Sequence, residues 1–241
     1  MKAMIMAAGL GTRLGDLTVS KPKALVEVNG KPMLEYAVEY LKSYGINDII
    51  VNVHHLGGQI IEFLKTKNNF GINIVISDER DLLLDTGGGL MKASWFFNDD
   101  KPFLVYNVDV LSKGDLRKLF VYHSVCKSLA TLVVKQRETS RYFLIDKNQQ
   151  LCGWRNKKTG EELIVRYASK LSEVAFSGIQ ILDTSVFELS KKKGKFSLTE
   201  MYLELAEEHK IIVYNDGSPW FDLGKPESIE AAVKGFFIDQ N

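Results

Sequence analysis

Short apolar runs of strand length alternate with segments of helical spacing through the first half of this chain, and few architectures accept that alternation. Residues 4–8, 48–53, 72–76 and 103–107 are apolar and bounded by turn-forming residues. Between them, Met33, Leu34, Ala37, Val38 and Leu41 recur on one helical face after Pro32, and residues 59–65 and 90–97 repeat the pattern. Strands that are apolar throughout are buried on both faces, so helices must cover both sides of a mostly parallel sheet. The spacing predicts an α/β fold of three layers.

The second half continues with a helix over 115–125 and strands over 129–135, 176–182 and 211–214. Helices are expected over 198–209 and from Pro226 to Phe236. Residues 137–166 turn polar, aromatic and lysine-rich, which predicts an antiparallel excursion, a lid or ligand-side flap around 137–170, within a single domain spanning 1–241. With 241 residues, 45% of them apolar, the chain has material for one sizeable core. Lys and Arg number 31 against 30 Asp and Glu, so no global field favours nucleic acid or a membrane surface, and any anion site must be local. Cys126 and Cys152 lack metal or redox spacing and are expected as reduced thiols of a cytoplasmic protein, monomer or homodimer, without a leader segment. His54 and His55 are adjacent on a strand end and point to opposite faces, which favours structural roles over shared metal ligation.

The first strand runs directly into Ala7-Ala8-Gly9-Leu10-Gly11-Thr12-Arg13. Gly9 and Gly11 let a ligand approach the main chain, whose N–H groups suit anionic oxygens. Arg13 adds a planar fork for phosphate and Lys23, after Pro22, a point charge. Two familiar phosphate loops do not fit: Leu14 stands where the dinucleotide fingerprint needs a small residue, and no Gly-Lys-Ser/Thr occurs. The loop instead returns to a short strand over 24–28 and a turn at Asn29-Gly30, closing over a ligand.

The full string, Ala7, Ala8, Gly9, Gly11 and Arg13 followed by Pro22-Lys23, resembles the signature of the sugar-1-phosphate nucleotidyltransferases. Asp85-Thr86-Gly87-Gly88-Gly89 is similar to the base-contacting loop of N-acetylmuramate-1-phosphate uridylyltransferases. Short mannose-1-phosphate guanylyltransferase-like members share the overall pattern. Tyr106-Asn107-Val108-Asp109 resembles the family's Asn-Gly-Asp segment, residues 220–227 its Trp-x-Asp-x-Gly-x-Pro-Glu segment, and Phe176-Ser177-Gly178-Ile179 the strand that passes the sugar. The resemblance implies a Rossmann-like three-layer α/β/α fold of the nucleotide-diphospho-sugar transferase type. Asp16 stands where many members have proline, and Val108 replaces a glycine, where its side chain is expected to crowd the nucleoside.

That resemblance also implies roles. Ala7, Ala8, Gly9, Gly11, Thr12, Thr86, Gly87 and Gly88 are expected to contact the nucleotide, the glycine triplet lying at a helix N-terminus and leaning toward uridine. Asn107 and Gly178 would contact the sugar. Arg155, Lys157 and Arg166 are the basic residues considered for the sugar phosphate. Asp109 and Asp222, two hard carboxylates beside phosphates, would hold Mg²⁺, which takes one or two carboxylates plus phosphate oxygens and water. Arg13 and Lys23 would be catalytic, and the substrates a nucleoside triphosphate and a sugar 1-phosphate. Rival readings are a CTP:phosphocholine cytidylyltransferase, with a cation cage drawn from Trp95, Trp154, Trp220 and Tyr142, and a non-catalytic nucleotide-sugar sensor. A glycosyltransferase is disfavoured because Asp109-Val110-Leu111 lacks the second carboxylate of an Asp-x-Asp metal motif.

Overall fold

A computed structural model describes residues 1–237. The strands are β1 (Lys2–Met6), β2 (Glu27–Val28), β3 (Lys31–Pro32), β4 (Asp48–Val53), β5 (Asn73–Asp78), β6 (Phe103–Asn107) and β7 (Val110–Ser112), followed by β8 (Ala130–Lys135), β9 (Arg141–Ile145), β10 (Leu151–Asn156), β11 (Glu161–Ile164), β12 (Ser172–Leu182), β13 (Ile211–Tyr214) and β14 (Trp220–Asp222). The helices are α1 (Met33–Ser43), α2 (Gly57–Thr66), α3 (Asp85–Lys92), α4 (Leu116–Cys126), α5 (Val186–Leu189), α6 (Leu198–Ala206) and α7 (Pro226–Phe236).

Ten strands form one mixed sheet in the order β11-β10-β9-β12-β6-β1-β4-β5, with β8 on β12 and β13 on β8. The β6-β1-β4-β5 portion is parallel throughout. Along β1, Ala3 and Ile5 pack in one apolar cluster with α1, while Met4 and Met6 pack in a second with Leu90 of α3 and Met201 of α6. One strand thus feeds two cores, as its unbroken apolar run requires. The expected three-layer α/β/α architecture is the one observed.

The chain leaves β1 in one direction along the sheet, through α1 to β4, and returns on its other side as β6. The carboxyl ends of β1 and β6 therefore flank a topological switch point, where open α/β sheets form a crevice. The excursion after residue 137 is antiparallel, as expected: β9, β10 and β11 form a meander that joins the same sheet through β12. No helix among the described residues is long and apolar enough to cross a membrane.

Several local expectations are corrected. Residues 24–28 are not one strand; Lys23–Leu25 is a 3-10 turn, followed by the two-residue β2 paired with β3. The glycine triplet does not precede its helix but lies inside α3. Gly87 and Gly88 both donate their amides to the Phe196 carbonyl (2.9 and 3.2 Å), which supplies partners for first-turn donors that a helix leaves open. The last helix turn expected at 207–209 is absent because α6 ends at Ala206. Val108, expected to crowd a nucleoside, is buried in the core, and its amide donates to the Met6 carbonyl (3.2 Å).

The segment before β14 is tied down by a buried ion pair between Lys135, at the end of β8, and Asp216; Lys135 also donates to the Ser218 carbonyl at 2.8 Å. Burial works to raise the Asp216 carboxyl, but Lys135 and the Ser218 amide outweigh it and hold it below the ordinary value. A depressed carboxyl contributes stability above its unfolded value of about 3.9, and that contribution is lost as pH falls through the lower folded value. Asp216→Asn is expected to cost about 3 kcal/mol at neutral pH. Thermal melts across pH should show the gap to the parent closing only below about pH 4.

Candidate functional site

The glycine loop is fixed from behind by one side chain. Asn52, buried on β4, accepts hydrogen bonds from the amides of Ala7 (2.7 Å) and Ala8 (3.3 Å) through its carbonyl oxygen. Its Nδ2 donates to Glu79 Oε1 at 2.8 Å, and the Leu84 amide donates to Glu79 Oε2 at 3.4 Å. Glu79 is wholly buried. Burial pushes its carboxyl up, against the opposing pull of the bonds from Asn52 and Leu84. A Cβ on Gly89 would stand 2.6 Å from Glu79 Oε1 and 3.0 Å from Asn52 Nδ2, so the third glycine of the triplet is bare because this network fills its space. His54 Nδ1 donates to the Glu79 carbonyl at 2.7 Å, in line with the expected structural role.

Beyond Ala8 the loop emerges: Gly9, Thr12 and Arg13 are exposed. Gly11 has φ +70°, and a Cβ there would lie 2.9 Å from both Lys23 Cβ and Thr18 Cγ2, so glycine sets both the turn and the approach of Lys23. Thr18 Oγ1 donates to the carbonyls of Gly11 (3.2 Å) and Gly15 (3.1 Å), while Leu14 anchors the same segment in the core.

Lys23 forms an ion pair with Asp109, both side chains being 13% exposed. Asp109 lies in the turn between β6 and β7, and its carbonyl accepts the Leu223 amide at 2.8 Å. Because β14 pairs with β7 and places Asp222 opposite Val110, Asp109 and Asp222 come from neighbouring positions on adjacent segments. Asp222 Oδ1 accepts the Gly224 amide at 2.9 Å, and a Cβ on Gly224 would overlap the Arg13 guanidinium. Arg13, Lys23, Asp109 and Asp222, four residues scattered over the sequence, thus converge at the switch point. Among the described residues no group of three or more His, Cys, Asp or Glu is poised to hold a metal ion.

Asn107 and Gly178 are also brought together, a Cβ on Gly178 falling 2.9 Å from Asn107 Nδ2. Gly178 has φ +83° and lies where the pairing of β12 with β8 shifts register between Phe176 and Gln180. Such an irregularity bends a strand, and here it does so beside the site. Thr86, Gly87 and Gly88 are engaged with the segment before α6: Thr86 Oγ1 accepts the Leu198 amide at 2.9 Å, and a Cβ on Gly87 would overlap the Phe196 ring.

A cavity of about 1170 Å³ opens from Arg13 and Asp222 toward the meander, where Arg137, Tyr142, Trp154 and Trp220 line it. Arg155, Lys157 and Arg166 do not. Arg155 pairs with Glu162 and Glu173, Lys157 pairs with Glu173, and Arg166 donates to the Ala206 carbonyl. Sequence reasoning missed Asn52, Glu79 and Arg137. A buried Asn followed by Glu at successive strand ends was the one available signal for the first two.

The sheet order defines an α/β protein whose glycine loop and two carboxylate-bearing segments meet at a switch point, the place where open sheets of this kind bind ligands. The sequence profile of the nucleotidyl transferase family matches residues 2–236, and the chain belongs to that family. It is similar to a mannose-1-phosphate guanyltransferase of Yarrowia lipolytica, 32% identical over 233 residues, covering 94% of this chain and 61% of that protein. It is also similar to a UTP–glucose-1-phosphate uridylyltransferase of Synechocystis, 29% identical, covering 98% and 63%. The chain therefore spans about three fifths of the length of these curated relatives. Its fold matches the crystal structure of HddC from Yersinia pseudotuberculosis complexed with GMP-PN (TM-score 0.78, 23% identity, 98% and 99% covered). It also matches a UDP-glucose pyrophosphorylase complexed with UDP-glucose (TM-score 0.77, 19% identity, 99% of each chain).

Removing the Asn52 side chain would strand two buried amides and one oxygen of a buried carboxyl. Asn52→Ala is expected to cost about 2–4 kcal/mol in chemical denaturation. Hydrogen exchange at Ala7 and Ala8 should accelerate more than exchange at Ile5, which checks that the loss begins in the loop.

Proposed function

We propose that the chain transfers a nucleotidyl group from a nucleoside triphosphate to a sugar 1-phosphate, releasing pyrophosphate. The observation that carries this reading is the approach of Arg13 to the Asp222-Gly224 turn at one end of a large cavity, beside the segment that carries the Lys23–Asp109 ion pair. The family membership and the named activities of its relatives support it.

The acceptor's phosphate oxygen attacks the α-phosphorus in line, and the bond to pyrophosphate breaks. No protein nucleophile is required, so the chain's contribution is positioning and charge neutralisation. The loop over 9–13 receives the triphosphate against its backbone, and Arg13 neutralises the departing pyrophosphate. Lys23 carries three donors, one of them committed to Asp109, and the others serve the α-phosphate. Asn107 and Gly178 line the path of the sugar.

The donor set fits Mg²⁺. Asp109 and Asp222 are hard oxygen ligands on adjoining segments, and a two-carboxylate site completed by phosphate oxygens and water suits this ion. When bound there, Mg²⁺ would polarise the α-phosphate and screen the repulsion between two anionic substrates.

The phosphocholine alternative is weaker. Trp95 is exposed and does not line the cavity. Two other cage members already carry cations of the chain, Arg137 4.9 Å from the Trp220 ring centre and Lys157 4.6 Å from that of Tyr142. A trimethylammonium group needs those faces free.

Pyrophosphate release from GTP and UTP, with mannose 1-phosphate and glucose 1-phosphate as acceptors, tests the reading. Silence of the parent with the four nucleoside triphosphates against a panel of sugar 1-phosphates would overturn it. Arg13→Ala is expected to lower turnover by about 10²–10³-fold. Asp222→Asn is expected to keep the parent's melting temperature while shifting the Mg²⁺ titration of activity to higher concentration. An unchanged titration would remove Asp222 from the metal site.

A further inference from the structure

The far wall of the cavity holds a cation that the steps above do not use. We propose that Arg137, two residues past β8, grips the phosphate of the acceptor sugar, an inference that rests on the nucleotidyl-transfer reading. Its guanidinium stacks over Trp220 at 4.9 Å from the ring centre, and one terminal nitrogen donates to the Phe176 carbonyl at 3.3 Å. The Nε nitrogen is buried without a hydrogen-bond partner, although the group lines a cavity. A guanidinium has five N–H donors, and a half-buried one with donors unspent is configured for an anion.

Its surroundings say which anion. Trp220 is itself held, its indole N–H donating to the Ser177 carbonyl at 2.9 Å, one residue before Gly178, which packs against Asn107. Asp222 follows Trp220 by two positions on β14 and so shares its face of the strand. Arg137 therefore touches both the strand that carries Gly178, through Phe176, and the strand that carries Asp222, through Trp220, and it lines the same cavity as Asp222 and Arg13, where an acceptor phosphate approaching the α-phosphorus would sit.

Other cations are less suited. Arg155, Lys157 and Arg166 are spent on acidic side chains or backbone carbonyls away from the cavity. Arg141, Lys158 and Lys225 line it but are exposed, where water and salt screen their charge. A planar fork held by an aromatic ring also binds phosphate through two parallel bonds at lower entropic cost than a lysine.

The test is calorimetric titration of the full chain with mannose 1-phosphate, glucose 1-phosphate and inorganic phosphate, and separately with GTP and UTP. Arg137→Gln is expected to weaken sugar-phosphate binding by about 10–100-fold, with Arg137→Lys in between and nucleotide affinity within about twofold of the parent. The proposal is overturned if Arg137→Gln binds sugar phosphate like the parent, if nucleotide affinity falls in parallel, or if the parent binds none of the three phosphate probes. Should binding follow the expected pattern while no pair of substrates releases pyrophosphate, the grip stands and the transfer reading falls.

Discussion

Everything at the mouth of the cavity depends on where the backbone leaves β1, and that is set by the carbonyl of Asn52. By holding the amides of Ala7 and Ala8 it turns the chain out of the sheet at a defined point. Its own amide is held by Glu79, whose other oxygen receives the start of α3. A single buried chain of polar contacts therefore joins the loop of the first strand to the glycine helix after the fifth. Such a network is costly in a dry interior unless every member is satisfied, which gives it a sharply defined geometry.

The electrostatic design is local, as the near-neutral composition requires. Cations from distant parts of the chain are sorted by their partners. Lys23 is matched to the Asp109 carboxylate at the switch point, Lys135 is consumed in holding the approach to β14, and Arg137 is left with its Nε unpartnered. The same residue types thus act as struts or keep donors in reserve according to what faces them.

That sorting explains how much was legible in the sequence. The buried strands over 48–53 and 103–107 were readable because continuous apolar runs carry their own signal. The loop was readable because glycine, arginine and proline sit close together in it. The glycine triplet misled about the helix boundary, since it lies inside α3, and its bareness also answers to Phe196, Gly194 and Glu79, partners that no local pattern displays. The burial of Val108 was not legible, since the core that encloses it is assembled from distant segments. Arg137 was invisible because its meaning comes from Trp220, far along the chain.

The strand β12 runs 11 residues, and it pairs with β6 next to the switch point and with β9 at the meander. One strand therefore ties the switch-point end of the sheet to the meander, and its change of register at Gly178 falls between the two. A scaffold of this kind can exchange the side chains on the meander's wall of the cavity without rebuilding the parallel strands behind the glycine loop.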